Sequence, residues 1–143
     1  MLGSIFAAKN INSNYNMNIE RPKSQIKKIA EKKPCGFTYS PKNNTFPQKG
    51  YVVAIQRTQD CIGNRGLFHV IKYYIRNQDY YIGGWRNEDG IMQFDASMVY
   101  YNIEEAVLAA IANKQRAIFS LSTGKEIMAC DFGNYIKYVD KAS

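Results

Sequence analysis

The stretch from Tyr80 to Ile127 constrains the fold of this chain more than any other, because a junction signal marks almost every boundary in it. Tyr80 to Arg86 is rich in aromatic residues and predicts a strand carrying the pair Gly83-Gly84. Asn87-Glu88-Asp89-Gly90 predicts a hairpin loop. From Ile91 to Tyr101 the pattern alternates: Met92, Phe94, Ala96, Met98 and Tyr100 share one face, and Gln93, Asp95 and Ser97 the other. One face should pack on helices and the other should meet solvent or a partner. Asn102 stands where a helix cap belongs, with Glu105 placed to complete a capping box. Behind it Ile103, Ala106, Val107, Ala110 and Ile111 repeat at helical spacing. A strand from Ala117 to Leu121, a turn at Ser122-Thr123-Gly124-Lys125 and a return from Glu126 to Met128 follow.

Upstream, Phe37 to Ser40 and Tyr51 to Ile55 predict two further strands. Between them and Tyr80, Leu67, Val70, Ile71, Tyr74 and Ile75 fall on one face of a helix that Asn64 could cap. His69, Lys72 and Arg76 lie on its opposite face. Residues 20–33 predict a short basic helix, with Pro22 in its first turn and Pro34 ending it. Its apolar stripe of Ile26, Ile29 and Ala30 is too narrow to hold a helix alone, so it needs the domain or a partner. At the other end Tyr135, Ile136, Tyr138 and Val139 suggest a final strand. The expected fold is α+β: a mostly antiparallel sheet of about five or six strands with two helices on one face. Residues 1–35 form a basic N-terminal arm with a short helix, and residues 36–143 a single domain. Met17 is a second possible start of the chain.

Charge points to a partner. The chain of 143 residues carries a net +7. Residues 1–33 hold Lys9, Arg21, Lys23, Lys27, Lys28, Lys32 and Lys33 against Glu20 and Glu31, a net of +5, whereas residues 34–143 carry only +2. A basic arm on a near-neutral body suits a polyanion or an acidic protein surface. No apolar run approaches the ~18 residues of a membrane span, and Leu2 to Ala8 is too short for a secretory core. Cys35, Cys61 and Cys130 show no paired spacing and read as reduced, mostly buried thiols.

Chemistry is poorly supplied. His69 is the only histidine, and a Ser/His or Cys/His site would have to pair it with Ser97 or Cys61. The thiol spacing does not suit zinc, and no metal or cofactor is expected. Glu88 with Asp89, and Glu104 with Glu105, are explained by a turn and by a helix N-terminus. Asp95, mid-strand between Gln93 and Ser97, and Gly83-Gly84-Trp85 are not explained by strand packing. Gly63-Asn64-Arg65-Gly66 has the GXXG form of the loop with which KH domains grip a nucleic-acid backbone, and the order of elements around it resembles the KH order.

Taken as a set, six segments resemble a small domain of phage and mobile-element proteins. They are Gly50-Tyr51-Val52-Val53-Ala54, Tyr81-Ile82-Gly83-Gly84-Trp85, Phe94-Asp95-Ala96-Ser97, Glu104-Glu105-Ala106, Gln115-Arg116-Ala117-Ile118-Phe119 and Thr123-Gly124-Lys125-Glu126-Ile127. The resemblance covers residues 36–128. Ser120 departs from the aspartate usual there, and Gln93 from the aromatic residues common before the Phe-Asp pair. What it implies is an origin in a phage or mobile element; it brings no catalytic residue with it.

The expectation is a non-catalytic accessory protein, virion-associated or in the host cytoplasm, that binds protein subunits of an assembly, nucleic acid, or both. Arg21, Lys23, Lys27, Lys28, Lys32, Lys33, Asn64, Arg65, Lys72 and Arg76 are the residues expected to meet nucleic acid or a partner. Tyr80, Trp85, Asp95 and Tyr101 form the expected partner surface. Two alternatives stand beside it: an inhibitor of a host protein, and a KH-like RNA-binding domain.

Overall fold

The computed structural model describes residues 19–137. Its strands are β1 (Gly36–Tyr39), β2 (Tyr51–Ala54), β3 (Cys61–Ile62), β4 (Tyr81–Arg86), β5 (Met92–Tyr100), β6 (Ala117–Ser120) and β7 (Lys125–Met128). They form one sheet in the order β1-β4-β5-β2-β6-β7, with β3 added beside β5, and every pairing is antiparallel. Residues 19–32 form α1, followed by α2 (Gly63–Arg76) and α3 (Ile103–Ala112). Seven strands replace the expected five or six. The unforeseen one, β3, is two residues long and leaves no periodicity to read. Among the described residues no helix is long and apolar enough to cross a membrane.

β5 is the longest strand and the hub. On one side it pairs with β4 along Met92 to Ser97; on the other it pairs first with β3 and then with β2. The chain leaves the sheet between β2 and β3 through a 3-10 turn, Gln56–Thr58. Fully buried Thr58 repairs the ladder there, because its hydroxyl oxygen accepts the Ala96 N–H at 3.0 Å.

All three helices cover the same face of the sheet. α1 and α2 enclose one apolar cluster that includes Ile19, Ile26, Tyr39, Leu67, Val70, Ile71, Ile82 and Ala96. α3 encloses a second with Val53, Ala106, Val107, Ala110, Ile118 and Phe132. The alternation read in β5 holds: Phe94 and Ala96 are buried under the helices, while Gln93, Asp95 and Ser97 point to the opposite face. Asn102 caps α3 by accepting the Glu105 N–H at 3.1 Å. Ile111, counted in the stripe of α3, is exposed instead.

The described part of the basic arm is built into this core. Ile19 and Ile26 are fully buried. Gln25 donates to the hydroxyl of buried Tyr39, which in turn donates to Asn44 Oδ1. The narrow stripe of α1 is held by the domain, so a boundary at residue 35 does not separate an arm from a body at this helix. Residues 1–18, with Lys9 and Met17, lie outside the described residues. At the far end, Ala129–Tyr135 is a 3-10 helix that seats Phe132 in the second cluster, so Tyr135 is not in a strand. Tyr138 and Val139 lie outside the described residues.

Gly63-Asn64-Arg65-Gly66 is the first turn of α2, preceded by β3 rather than by a helix. Asn64 is not the cap: the N-cap position is Ile62, with no side-chain cap bond. Each glycine has a local reason. Gly63 adopts a left-handed φ of +65°, and a side chain on Gly66 would overlap the backbone of Cys61. Gly66→Ala is therefore expected to cost about 1–3 kcal/mol in denaturant unfolding. Exposed Asn64→Ala should stay within about 0.5 kcal/mol.

Candidate functional site

Two surfaces on opposite faces of the sheet carry the polar chemistry. The first is helical. On α1 and just beyond it, Arg21, Lys27, Lys28, Lys32 and Lys33 are exposed and Lys23 is half-exposed. On α2, Arg65, His69 and Arg76 are exposed and Lys72 is half-exposed; their spacing of four, three and four residues puts them on one stripe. α2 contains no acidic residue, and α1 has only Glu20 and Glu31. Because both helices pack into one apolar cluster, their outward faces share one side of the molecule.

Among the described residues none of these cations makes an ion pair. Among the described residues the one ion pair joins Lys42 to Asp79, at 3.3 Å, and includes no residue of either helix. Two lysines lie over aromatic rings instead: Lys33 over Phe46 at 4.5 Å and Lys72 over Phe68 at 5.6 Å. Phe68 is itself an exposed apolar ring among the α2 cations.

The second surface is the uncovered face of the sheet, where the strands curl around an open cleft of about 980 Å³. Asp95 stands on its floor, partly buried, and accepts a hydrogen bond from the Ser97 hydroxyl. Gly83 lies directly across the ladder from Asp95, and a Cβ built there would stand 2.5 Å from Asp95 Oδ1. Gly84 serves the other face, where the Phe37 ring occupies the space a side chain would need. The two glycines are thus required by packing after all, each making room for a different neighbour. Trp85, 47% exposed, flanks the carboxylate in the cleft.

Loss of water around Asp95 pushes its carboxyl pKa up, against the opposing effects of Ser97 and of the Trp85 indole N–H. Within the stripe, Ser97 is fully buried, and Gln93 and Asp95 are half-buried. A raised carboxyl pKa means that the folded chain holds this proton more tightly than the unfolded chain. Its contribution to stability is thus present at low pH and is lost as pH rises through the folded-state pKa. Asp95→Asn keeps the shape and removes the charge. It is expected to stabilise the fold at pH 7 by roughly 0.5–2 kcal/mol, with the gain fading as the pH is lowered toward about 4. Thermal melts of both forms across that range check this.

The expected partner surface is only partly assembled. Trp85 and Asp95 share the cleft, and Tyr101 is 74% exposed beyond the end of β5. Tyr80 packs against the helix-side cluster and does not join them. The sequence did not indicate that Phe119, Met128 and Arg116 would line the same cleft, because β6 and β7 reach it only through the sheet order.

The residues available for nucleophilic chemistry are dispersed. The His69 ring Nε2 donates to the Arg57 carbonyl at 3.0 Å, on the outward side of α2. Ser97 is on the other face of the sheet. Burial, and then the charges of Asp95 and Asp60, push the Cys61 thiol up and away from the reactive thiolate. Cys35 and Cys130 are exposed, so most of the thiols are not buried as expected. Among the described residues no three His, Cys, Asp or Glu side chains gather as metal ligands would.

No family model matches the chain, and no curated protein or solved structure is significantly similar to it.

Proposed function

We propose that this protein is a non-catalytic binding protein that engages nucleic acid across the outward faces of α1 and α2, as an accessory component of a phage or mobile element. One observation carries the reading: a concentration of exposed lysines and arginines on two adjacent helices, with no internal ion pair among the described residues. Such like charges repel one another in the free protein and are relieved by a polyanion, whose counterions they displace. Exposed Phe68 beside Lys72 offers a stacking surface within the same field. The resemblance of residues 36–128 to a domain of phage and mobile-element proteins supports that setting, in a virion or the host cytoplasm.

Of the two supports that the narrow stripe of α1 called for, the domain or a partner, it is the domain that holds the helix. With Ile19 and Ile26 in the core, α1 presents its lysines as a fixed array. The test is fluorescence anisotropy of labelled single-stranded and duplex oligonucleotides with the full chain. Binding that tightens as salt is lowered is expected; no binding at low salt would overturn the reading.

A further inference from the structure

We infer that the cleft on the uncovered face of the sheet receives an arginine side chain of a partner polypeptide, with Asp95 as its counter-charge and Trp85 as the ring it stacks on. This goes beyond the nucleic-acid reading and rests on the opposite face of the sheet. The argument starts from charge. Asp95 is a carboxylate held on a partly dehydrated floor, and no lysine or arginine among the described residues pairs with it. Lys33, Arg86 and Arg116 line the same cleft without pairing with Asp95: Lys33 lies over the Phe46 ring, and Arg86 Nε donates to the Pro34 carbonyl at 2.6 Å and Nη1 to the Gly90 carbonyl at 2.7 Å. A partly dehydrated carboxylate without a counter-ion is a cost to the fold, and that cost is offset when a ligand brings the cation.

Shape and chemistry then select the cation. Gly83 makes room for the Asp95 carboxylate, whose Oδ1 occupies the space a side chain there would need. Ser97 takes one carboxylate hydrogen bond, and Gln93 adds an amide to the lining. Trp85 presents an exposed indole beside the carboxylate. A planar guanidinium suits this pairing of a carboxylate with an aromatic face better than a compact ammonium does. The source is a polypeptide because the cleft, about 980 Å³, continues from Asp95 along β6 and β7, well beyond what one guanidinium fills. Exposed Phe119 and Met128 extend it along β6 and β7, offering apolar contact for residues flanking the arginine.

Trp85 is the only tryptophan in the chain, so fluorescence excited beyond the tyrosine absorption band reports on this cleft alone. The test titrates the full chain with a short peptide carrying one arginine between apolar residues. Matched peptides carry citrulline or lysine instead, and free agmatine serves as a small guanidinium. The expected result is a saturable change in Trp85 emission with the arginine peptide. The citrulline peptide should bind about 10- to 100-fold more weakly, as loss of a charge-assisted contact implies. Asp95→Asn, confirmed folded by its thermal melt, should lose the same factor. Charge reversal of Lys72 and Arg76 should leave the response unchanged, which separates this site from the nucleic-acid face. Equal binding of the citrulline peptide, unchanged binding by Asp95→Asn, or no saturable response would overturn the inference. Agmatine binding as tightly as the peptide would overturn the polypeptide source. An oligonucleotide that quenches Trp85 in competition with the peptide would overturn the assignment in favour of base stacking.

Discussion

Ile26→Asp is expected to abolish the native fold, and Ile26→Ala to lower its stability by about 2–5 kcal/mol. Ile26 is fully buried among Tyr39, Leu67, Val70, Ile71 and Ile82, so truncation leaves a cavity beneath α1. An aspartate there would be an unpaired charge in an apolar cluster, a cost of several kcal/mol against a total stability of ~5–15 kcal/mol. The neighbouring residue is the control. Lys27 is exposed on the same helix, and Lys27→Glu should change stability by no more than about 0.5 kcal/mol. Circular dichroism and denaturant titration separate the outcomes. A fully folded Ile26→Asp would show that α1 is a detachable arm and would remove the basis for a fixed array of lysines. The result also bears on how nucleic-acid binding is tested: deleting residues 1–33 would remove Ile19 and Ile26 from the core, so any lost binding would report unfolding. Charge reversal at exposed positions avoids that.

The second large effect is on binding. Arg65→Glu, Lys72→Glu and Arg76→Glu together should weaken nucleic-acid affinity at least 100-fold near 50 mM salt, while the fold stays intact. Each phosphate contact contributes close to one unit of slope in the logarithm of affinity against the logarithm of salt, so losing three should flatten that slope by about three. Reversing Lys27, Lys28 and Lys32 on α1 should produce a comparable loss. An effect confined to one helix would restrict the interface to that helix. No effect from either would contradict the assigned face.

Much of the fold was legible because local and long-range preferences agree over Tyr80 to Ile127. β5 alternates, Asn102 caps α3, and Asn87 closes the β4–β5 hairpin by accepting from both the Asp89 and Ile91 N–H groups at 2.9 Å. The misreadings share a cause. β3 and the 3-10 helix around Phe132 both depend on contacts distant in sequence, which periodicity does not record. Asn64 looked like a cap because its residue type suits one, but the left-handed backbone at Gly63 starts the helix earlier. The same holds for the candidate sites. The basic residues of α1 and α2 stood out in the sequence, but their shared side did not. Asp95 and Gly83-Gly84-Trp85 stood out as unexplained, and the β4–β5 register supplies the explanation by setting Gly83 opposite Asp95. Phe119 and Met128 gave no signal at all, since only the sheet order brings them to the cleft.

The most direct measurement is the footprint of a bound oligonucleotide on the full chain, read from amide chemical shifts in NMR spectra with and without the nucleic acid. The account predicts perturbations concentrated on Lys27, Lys28, Lys32, Arg65, Phe68, Lys72 and Arg76, with Gln93, Asp95 and the Trp85 indole unmoved. Perturbations concentrated in the cleft around Trp85 and Asp95, with the two helices silent, would contradict it.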